Sequence, residues 1–327
     1  MALEAPAQPP DAGSTGVTSL LDGGGSIATR PKTTRVVSAH TSVIARLEEI
    51  WRSRELLIYL VRTEIKVKYK NSFLGLLWSM VAPSLTLAVY AMVFGVFLHN
   101  GMPDFVIYLF AGLLLWNFFS TGILTSTGVI VNNAGLVKKV SFPREILALA
   151  AVGSAGVFFF FQACVMVLFL LVLHWAPAWS VLYLVVVALI PTLVLACALG
   201  ILLAAVNVYM RDTQHLVTVL VGSAWFWACP IVYTFQTVGP RLAQHGLTWL
   251  YFVNPMTVLV MTFQRTLYGR LTVRDTQPPH GVLPVLPHWP VITYVWGDGI
   301  VLAFGLVLFY VAMVVFGRLA GNFAEEL

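Results

Sequence analysis

The most regular feature of the chain is a series of long apolar runs that are separated by short polar segments. A helix needs about 20 residues to cross the hydrocarbon core of a bilayer, and several of the runs reach or approach that length. They predict transmembrane helices at residues 73–98, 105–131, 146–173, 179–206, 216–233 and 299–316. We therefore expect an all-α integral membrane protein with about six spans.

A further apolar stretch, Leu247 to Tyr268, is interrupted by Asn254-Pro255. Proline lacks a backbone donor and disfavours helix at the residue before it, and lipid tolerates such a break only where protein or water covers it. We expect re-entrant or external half-helices here. Broken helices commonly form cavity-lining or moving parts of transporters, so residues 234–298 are predicted to form an external gate region.

The N-terminal part of the chain has two compositions. Residues 1–41 are rich in Pro, Gly, Ala, Ser and Thr and predict a disordered cytoplasmic tail. In residues 42–71, apolar positions recur at helical spacing, while Arg62, Lys66 and Lys70 are spaced four residues apart on another face. This segment predicts an amphipathic interface helix that contacts membrane lipids, followed by a transmembrane domain at residues 72–327.

Charge is scarce and unevenly placed. Only 10% of the residues are charged, compared with roughly 25% in soluble proteins, and the predicted spans contain no Asp or Glu. Asp298 falls in the connecting segment just before the last predicted span. Ion-coupled and proton-coupled transporters usually keep an ionisable group inside the membrane, so we expect the energy for this protein to come from another source.

The distribution of Lys and Arg predicts an orientation. With six spans and a cytoplasmic N-terminus, 15 of the 19 Lys and Arg residues lie on the cytoplasmic side, as the positive-inside rule requires. A seven-span arrangement stays open, because it moves Arg270 and Arg274 inside but sends Arg318 outside. The sequence predicts a multi-pass protein of the plasma (inner) membrane with both termini in the cytoplasm. The Lys and Arg residues that set the topology account for the net charge of +5, so we predict no nucleic-acid partner.

Motifs for catalysis or metal binding are missing from the sequence. It contains no GxxxxGK[ST], HExxH or GxSxG pattern, and its three cysteines lie singly in apolar runs. His99 and His174 fall at predicted span ends, where an interfacial aromatic ring is a simpler explanation than a ligand or base. We predict no catalytic residue, no metal site and no cofactor bound by this chain.

A short basic elbow connects the second and third predicted spans. Gly135 is expected to end or kink the second helix, Lys138 and Lys139 lie at the predicted cytoplasmic face, and Ser141 with Pro143 is expected to start the third helix. Local chemistry alone favours an ordinary turn whose lysines set the topology.

This elbow, LVKKVSFPREIL, resembles the cytoplasmic coupling segment of the permease subunits of polysaccharide ABC exporters, the Wzm-like group of ABC-2 type transporters. Similar motifs follow the order of that family: EIKVKYKNSFLGLLW before and at the start of the first span, LFAGLLLWNFFS, NVYMRDTQH, YFVNPMT and NFAEEL. The resemblance covers roughly residues 55–327 and omits the proline-rich insert near residues 277–290. The family moves O-antigen, teichoic acid, capsule or galactan.

The resemblance implies a permease without enzymatic activity that moves polyprenyl-linked polysaccharide to the outer face of the membrane. It implies a homodimer above two separate ATP-binding subunits, which would bind ATP and Mg. The residues expected to couple to the ATPase are Glu55, Arg62, Lys66, Lys138, Lys139, Phe142, Pro143, Arg144, Glu145, Arg211 and Asp212. The last two also fit a local cap or ion pair.

The substrate path is expected to use aromatic rings, which present apolar faces to sugars, together with nearby polar groups. The candidates are Trp116, Asn117, Phe118, Phe119, Trp225, Phe226, Trp227 and Tyr233. The alternative is an interfacial aromatic belt, and we expect about half of them to face the path. Asn254 and Pro255 are the candidates for an external gate.

Two other functions compete with this one. A drug or small-lipid exporter has a similar architecture, but its permeases usually carry a large external domain, whereas the external turns here are short. A polytopic membrane glycosyltransferase or acyltransferase needs a carboxylate or histidine at the membrane surface. Asp104, Asp298 and the histidines are scattered along the chain, which disfavours such an enzyme.

Overall fold

The structure is a computed structural model that describes residues 42–68, 70, 72, 75–97, 102–275 and 281–327. The predicted tail at residues 1–41 and both ends of the predicted first span lie outside these residues. The helices are α1 Val43–Arg52, α2 Arg54–Lys68, α3 Trp78–Ala91, α4 Phe105–Asn132, α5 Ala134–Lys139, α6 Glu145–Val172, α7 Leu184–Tyr209, α8 Asp212–Val219, α9 Phe235–Gln244, α10 Thr248–Val253, α11 Pro255–Leu267, α12 Val291–Leu319 and α13 Phe323–Glu326. The strands β1 Thr272–Arg274 and β2 Val282–Pro284 form an antiparallel hairpin.

Among the described residues, four helices are long and apolar enough to cross a membrane: α4, α6, α7 and α12. The predicted first span contains the shorter helix α3, which follows a 3-10 turn at Gly75–Leu77 and continues as a π-helix at Met92–Phe97. The predicted fifth span consists of α8 and a π-helix at Leu220–Trp225, and helical structure ends after Trp227. The predicted all-α membrane architecture is confirmed, and the count of six spans stays a prediction.

The last helix begins earlier than the sequence predicts. It starts at Val291 instead of Gly299, so residues 291–298 belong to a membrane-length helix. Gly297 allows this segment to approach α11 closely, because a Cβ there would lie 2.6 Å from Cγ1 of Val258 on α11. Asp298 is therefore inside α12 and is 1% exposed. The sequence placed Asp298 in a connecting segment, whereas the structure places it inside a helix of membrane-spanning length.

Small residues bring α4, α6 and α7 close together. A Cβ at Gly200 on α7 would lie 2.9 Å from Oγ of Ser126 on α4. The Ser126 hydroxyl lies 2.7 Å from the Gly122 carbonyl on its own helix and 3.0 Å from the Ala148 carbonyl on α6. Close backbone approach of this kind is a main source of helix association in membranes. The three helices form a core on which the outer elements are held.

Hydrogen bonds between elements hold the two ends of the bundle together. We call them the elbow end, where α5 lies, and the hairpin end, where β1 and β2 lie. At the elbow end, the Tyr209 hydroxyl at the end of α7 donates to the Leu319 carbonyl at the end of α12 at 2.8 Å. At the hairpin end, Trp175 Nε1 donates to the Tyr268 carbonyl at 3.1 Å, and the Tyr268 hydroxyl donates to the Pro103 carbonyl at 3.0 Å. The predicted orientation places the elbow end in the cytoplasm.

The predicted interface helix is divided into two helices. It breaks at Ser53, between α1 and α2, and serine favours helix ends because its hydroxyl competes for backbone groups. Neither helix contains a buried residue. Helix α2 packs on α6. Gly153 of α6 has no side chain and so makes room for Val61 of α2, whose Cγ2 would lie 3.0 Å from a Cβ at Gly153. The amphipathic segment therefore lies against a membrane-length helix.

Candidate functional site

The elbow contains a short helix of its own. Helix α5 runs over Ala134–Lys139, so Gly135 lies within it and α4 ends earlier, at Asn132. Val137 is buried and anchors α5 to the bundle, while Lys138 and Lys139 are exposed. The elbow thus presents two lysines to a partner from an anchored helix.

The other charged residues of the elbow bind to this chain. The Arg144 guanidinium donates to the Ala320 carbonyl and lies 5.7 Å from the centre of the Phe323 ring. Arg46 on α1 donates to the Glu145 carboxylate at 2.9 Å, and Glu145 is only 5% exposed. Arg144 and Glu145 therefore tie the start of α6 to α12 and α1.

The start of α6 also differs from the sequence prediction. The helix begins at Glu145, and neither Ser141 nor Pro143 starts it. Pro143 and Phe142 are partly buried, and Phe142 packs against the hydrophobic cluster at the elbow end. The part of the elbow that follows Lys139 in the sequence is therefore held to the bundle by contacts within this chain.

The remaining predicted coupling residues are exposed. Glu55, Arg62 and Lys66 share one face of α2, because they are separated by seven and four residues. Arg211 and Asp212 are exposed at the turn between α7 and α8. All five residues are accessible to a partner, and their role in coupling stays a prediction.

A cavity of about 570 Å³ lies between α3, α4, α6 and the π-helix after α8. Its walls combine large aromatic rings with hydroxyl, amide and ammonium groups. The lining residues are Lys68, Trp78, Ser79, Ala82, Pro83, Thr86, Tyr90, Leu113, Trp116, Asn117, Thr121, Phe158, Gln162, Gly222 and Phe226. Such a mixture of aromatic faces and a few polar groups is typical of ligand sites.

Three of the eight candidates for the substrate path line this cavity: Trp116, Asn117 and Phe226. Phe118 instead packs on Phe159 of α6, with ring centres 5.5 Å apart. The remaining four candidates, Phe119, Trp225, Trp227 and Tyr233, do not line this cavity either.

Phe119 and Trp225 form an edge-to-face pair with ring centres 5.1 Å apart, behind the cavity wall. Trp227 is 59% exposed, and Tyr233 is partly buried with its hydroxyl donating to the Trp227 carbonyl at 3.0 Å. Trp227 has the exposure of an interfacial belt residue. The substrate contacts of all eight stay predictions.

Two further residues that line the cavity, Gln162 and Lys68, were not among the candidates from the sequence. Gln162 accepts a hydrogen bond from Asn117 Nδ2 at 3.3 Å, and its isolated amide in the apolar run FFFFQACV was the signal that could have identified it. Lys68 lies over the Phe158 ring, with its ammonium 4.2 Å from the ring centre. Desolvation lowers the pKa of Lys68, and the nearby Glu64 carboxylate opposes this shift.

The predicted break at Asn254-Pro255 separates α10 from α11. The Asn254 side-chain oxygen accepts from the Met256 backbone N–H at 3.1 Å and from Trp225 Nε1 at 2.8 Å, and its amide nitrogen lies 3.3 Å from the Ala228 carbonyl. Asn254 therefore caps α11 and connects it to the end of the predicted fifth span. Helix α11 is largely buried and packs on α4, α7 and α12.

The residues that could bind a metal are dispersed. Cys164, Cys197 and Cys229 are free thiols, and Cys229 lies 3.3 Å from the Asn254 amide. Within the described ranges, no group of three or more His, Cys, Asp or Glu side chains is placed to hold a metal ion. The site that the structure presents consists of a cavity, a broken helix and an exposed charged surface.

Comparison with known proteins identifies relatives of this architecture. The O-antigen export system permease protein RfbA of Myxococcus xanthus is 34% identical over 236 residues, which cover 72% of this chain and 88% of that protein. A protein with the same description from Klebsiella pneumoniae is 26% identical over 210 residues, 64% of this chain and 79% of its own length. The polysialic acid transport protein KpsM of Escherichia coli is 25% identical over 213 residues, 60% of this chain and 75% of that protein.

The family described as ABC-2 type transporter matches residues 55–268. This range begins in α2, includes the elbow, the cavity and the break at Asn254, and ends directly after α11. The chain belongs to the ABC-2 type transporter family.

Proposed function

We propose that this chain is the transmembrane permease subunit of an ATP-driven ABC exporter that moves lipid-linked polysaccharide from the cytoplasmic to the outer face of the plasma membrane. The observation that carries the proposal is the similarity to O-antigen export permeases over most of this chain. The polyprenyl carrier and the O-antigen, galactan or teichoic-acid type of glycan belong to the same proposal. In it, both termini are cytoplasmic.

The energy enters through separate subunits. The sequence has no phosphate-binding loop, so two ATPase subunits would bind ATP and Mg beneath two copies of this chain. The exposed lysines of α5 and the exposed charged face of α2 supply groups that pair with an ATPase surface. Closure of the ATPases would push on α5, and the contacts of Arg144 and Glu145 would carry the displacement into α6 and α12.

The cavity beside Trp116 is the proposed wall of the glycan path. The Trp116 ring and the paired amides of Asn117 and Gln162 lie on this wall, and together they offer an apolar face and hydrogen-bonding groups to a sugar. The cavity lies against α3 and the π-helix after α8, and a second copy would close the path on the open side. Asn254 at the broken helix is the proposed outer gate.

The proposed glycan path is tested by replacing two polar residues of the cavity wall with apolar residues of similar size. In the double variant Asn117→Leu and Gln162→Met, both partners of one hydrogen bond are replaced, so the fold should be nearly unaffected. We expect export to fall by about tenfold, which corresponds to roughly 1.4 kcal/mol. Gln244→Met, on the exposed end of α9, is the control and should export normally. Full export by the double variant would remove this wall from the path.

The function is tested by reconstitution with a partner. The chain should copurify with an ATPase subunit encoded near it, and the pair should return glycan to the surface of a depletion strain in which lipid-linked glycan accumulates. A partner whose phosphate-loop lysine is replaced should copurify but not restore export. Export by this chain in a strain that lacks the ATPase would contradict the proposal.

A further inference from the structure

An acidic side chain lies inside a membrane-length helix. Asp298 of α12 is 1% exposed, and its Oδ1 atom lies 3.1 Å from Oγ1 of Thr262, a fully buried residue of α11. A charged carboxylate that is removed from water normally has a cation or several hydrogen-bond donors beside it, because an isolated charge is costly to bury. The contacts of Asp298 therefore indicate whether it carries a charge.

No cation is paired with Asp298 among the residues that the structure describes. The ion pairs in this part of the chain are Arg46–Glu145 and Arg52–Glu48. The second carboxyl oxygen of Asp298, Oδ2, is buried without a hydrogen-bond partner. An ionised Asp298 would thus have a single hydroxyl group in place of its hydration shell, which is far too little to offset the cost of burial.

The ionisable groups on the elements around this acid are hydrogen-bonded elsewhere. Tyr294, on α12, donates from its hydroxyl to the Pro287 carbonyl at 3.2 Å. Arg265, on α11, donates from Nη1 to the Gly269 carbonyl at 3.1 Å. Helix α7 also packs on α12 but contains no charged residue, and α1 contacts α12 near Gly317, at the elbow end. The nearest described elements therefore supply no charge that balances an ionised acid.

The hydroxyl of Thr262 cannot donate to both of its neighbours. It has one hydrogen, and its Oγ1 lies 3.0 Å from the Val258 carbonyl as well as 3.1 Å from Asp298 Oδ1. Other buried threonines of the bundle donate this hydrogen to the carbonyl four residues earlier in their own helix: Thr266 at 2.8 Å, Thr192 at 2.7 Å and Thr127 at 2.8 Å. If Thr262 does the same, its contact with Asp298 requires a second hydrogen.

We propose that Asp298 is protonated in the folded protein and donates a hydrogen bond from Oδ1 to Thr262, which in turn donates to the Val258 carbonyl. Both distances are then hydrogen bonds. Oδ2 becomes the oxygen of a neutral carboxyl group, which costs less to bury than a charge. The two hydrogen bonds join α12 to α11, the helix that Asn254 caps.

Asp298 is in this way a positioning residue for the proposed outer gate. It holds α11 through Thr262, and it keeps its proton instead of carrying protons across the membrane. The consequence for export rests on the proposed function, whereas the protonation of Asp298 does not. The two parts of the inference therefore have separate tests.

Infrared spectroscopy of the purified protein tests the proton directly. A carboxylic acid has a carbonyl stretching band at higher frequency than the bands of a carboxylate. The difference spectrum between the unsubstituted chain and Asp298→Asn should contain one such band at neutral pH, and exchange into deuterated water after unfolding and refolding should shift it. Carboxylate bands in this difference spectrum, without the acid band, would overturn the proposal.

The pH dependence of unfolding in detergent measures the same proton independently. Above about pH 4, an aspartate in the unfolded chain is ionised, so a folded chain that holds the proton binds one proton more. The folded state then loses stability as pH rises. Relative to Asp298→Asn, the unfolding equilibrium constant of the unsubstituted chain should rise about tenfold per pH unit until the folded group ionises. A ratio that is independent of pH would contradict the proposal.

Export distinguishes a positioning role from a proton-carrying role. Asp298→Asn keeps a donor beside Thr262 but has no proton to release, so it should export normally. Asp298→Leu and Thr262→Val each break the contact between the helices, and each should lower export by about tenfold. Thr266→Val, another buried position on α11 whose hydroxyl bonds within its own helix, is the matched control and should export normally.

Two export results would overturn the positioning role. One is loss of export by Asp298→Asn at normal membrane abundance and normal copurification of the ATPase, since it would show that Asp298 moves a proton. The other is normal export by both Asp298→Leu and Thr262→Val. If the unsubstituted chain fails to export with its ATPase, the proposed function itself is wrong, and the infrared and unfolding measurements still decide the protonation of Asp298. The two failures are thus distinguishable.

Discussion

Exchanging Lys138 and Lys139 for glutamate is expected to reduce glycan export by well over tenfold, while the permease still folds and inserts. Both lysines are exposed on α5, and neither belongs to an ion pair among the residues that the structure describes. In the proposed assembly, reversing both charges places like charges together at the ATPase surface, which costs several kcal/mol. Stimulation of the ATPase by the permease and the amount of surface glycan are the measurements.

The matched control is Arg274→Glu on β1, at the hairpin end of the bundle. It is also exposed, so it changes the net charge in the same direction without altering the elbow. We expect normal export from this variant. If the lysine variant also stimulates the ATPase and exports normally, α5 is not the coupling surface. The exposed face of α2 and the turn at Arg211-Asp212 would then be the remaining candidates.

Replacing Arg46 with methionine is expected to destabilise the protein by about 3 to 5 kcal/mol, because it leaves the buried Glu145 carboxylate without its cation. The side chains of this pair are 16% and 6% exposed, and the pair joins α1 to the start of α6. Chemical unfolding of the purified protein in detergent measures the loss. The double variant Arg46→Met with Glu145→Leu removes both charges and should recover most of the stability.

The chain offers an internal control for this experiment. Arg52 and Glu48 form an ion pair with similar geometry, but their side chains are 76% and 60% exposed. Arg52→Met should therefore change the free energy of unfolding by less than about 1 kcal/mol. Equal effects of Arg46→Met and Arg52→Met would show that burial of Glu145 does not determine the contribution of the pair.

The sequence predicted the elements that depend on local chemistry. The apolar runs gave the positions of α4, α6 and α7 to within a few residues, and Asn254-Pro255 marked the break before α11. The start of α12 was missed because Gly297-Asp298-Gly299 resembles a loop when it is considered alone. In the fold, Gly297 packs closely against α11, and this tertiary contact is not visible in the local sequence.

The aromatic candidates show a second limit of sequence reasoning. Helix α4 is apolar on all sides, so periodicity does not indicate which face meets lipid, protein or a cavity. Trp116 and Phe119 are three residues apart, yet only Trp116 lines the cavity. Polar residues within apolar runs, such as the partly buried Gln162, were the better indicators, because an amide removed from water requires a partner.

Charged residues at the elbow were assigned by motif, and the structure separates them by contact. The four positions from Phe142 to Glu145 were grouped with Lys138 and Lys139, although the structure gives Arg144 and Glu145 partners on α12 and α1. Those partners are 176 and 99 residues away along the chain. No local pattern could have revealed them.

Two elements beside the cavity, α3 and α8, each continue as a π-helix. The π-helices at Met92–Phe97 and Leu220–Trp225 each widen the helix by holding more residues per turn than an α-helix does. Such a widened turn can migrate along a helix as neighbouring backbone hydrogen bonds exchange partners one at a time. Each migration step rotates the residues on one side of it relative to those on the other. In the proposed glycan path, such steps would change the direction of the rings beside the cavity without separating the helices.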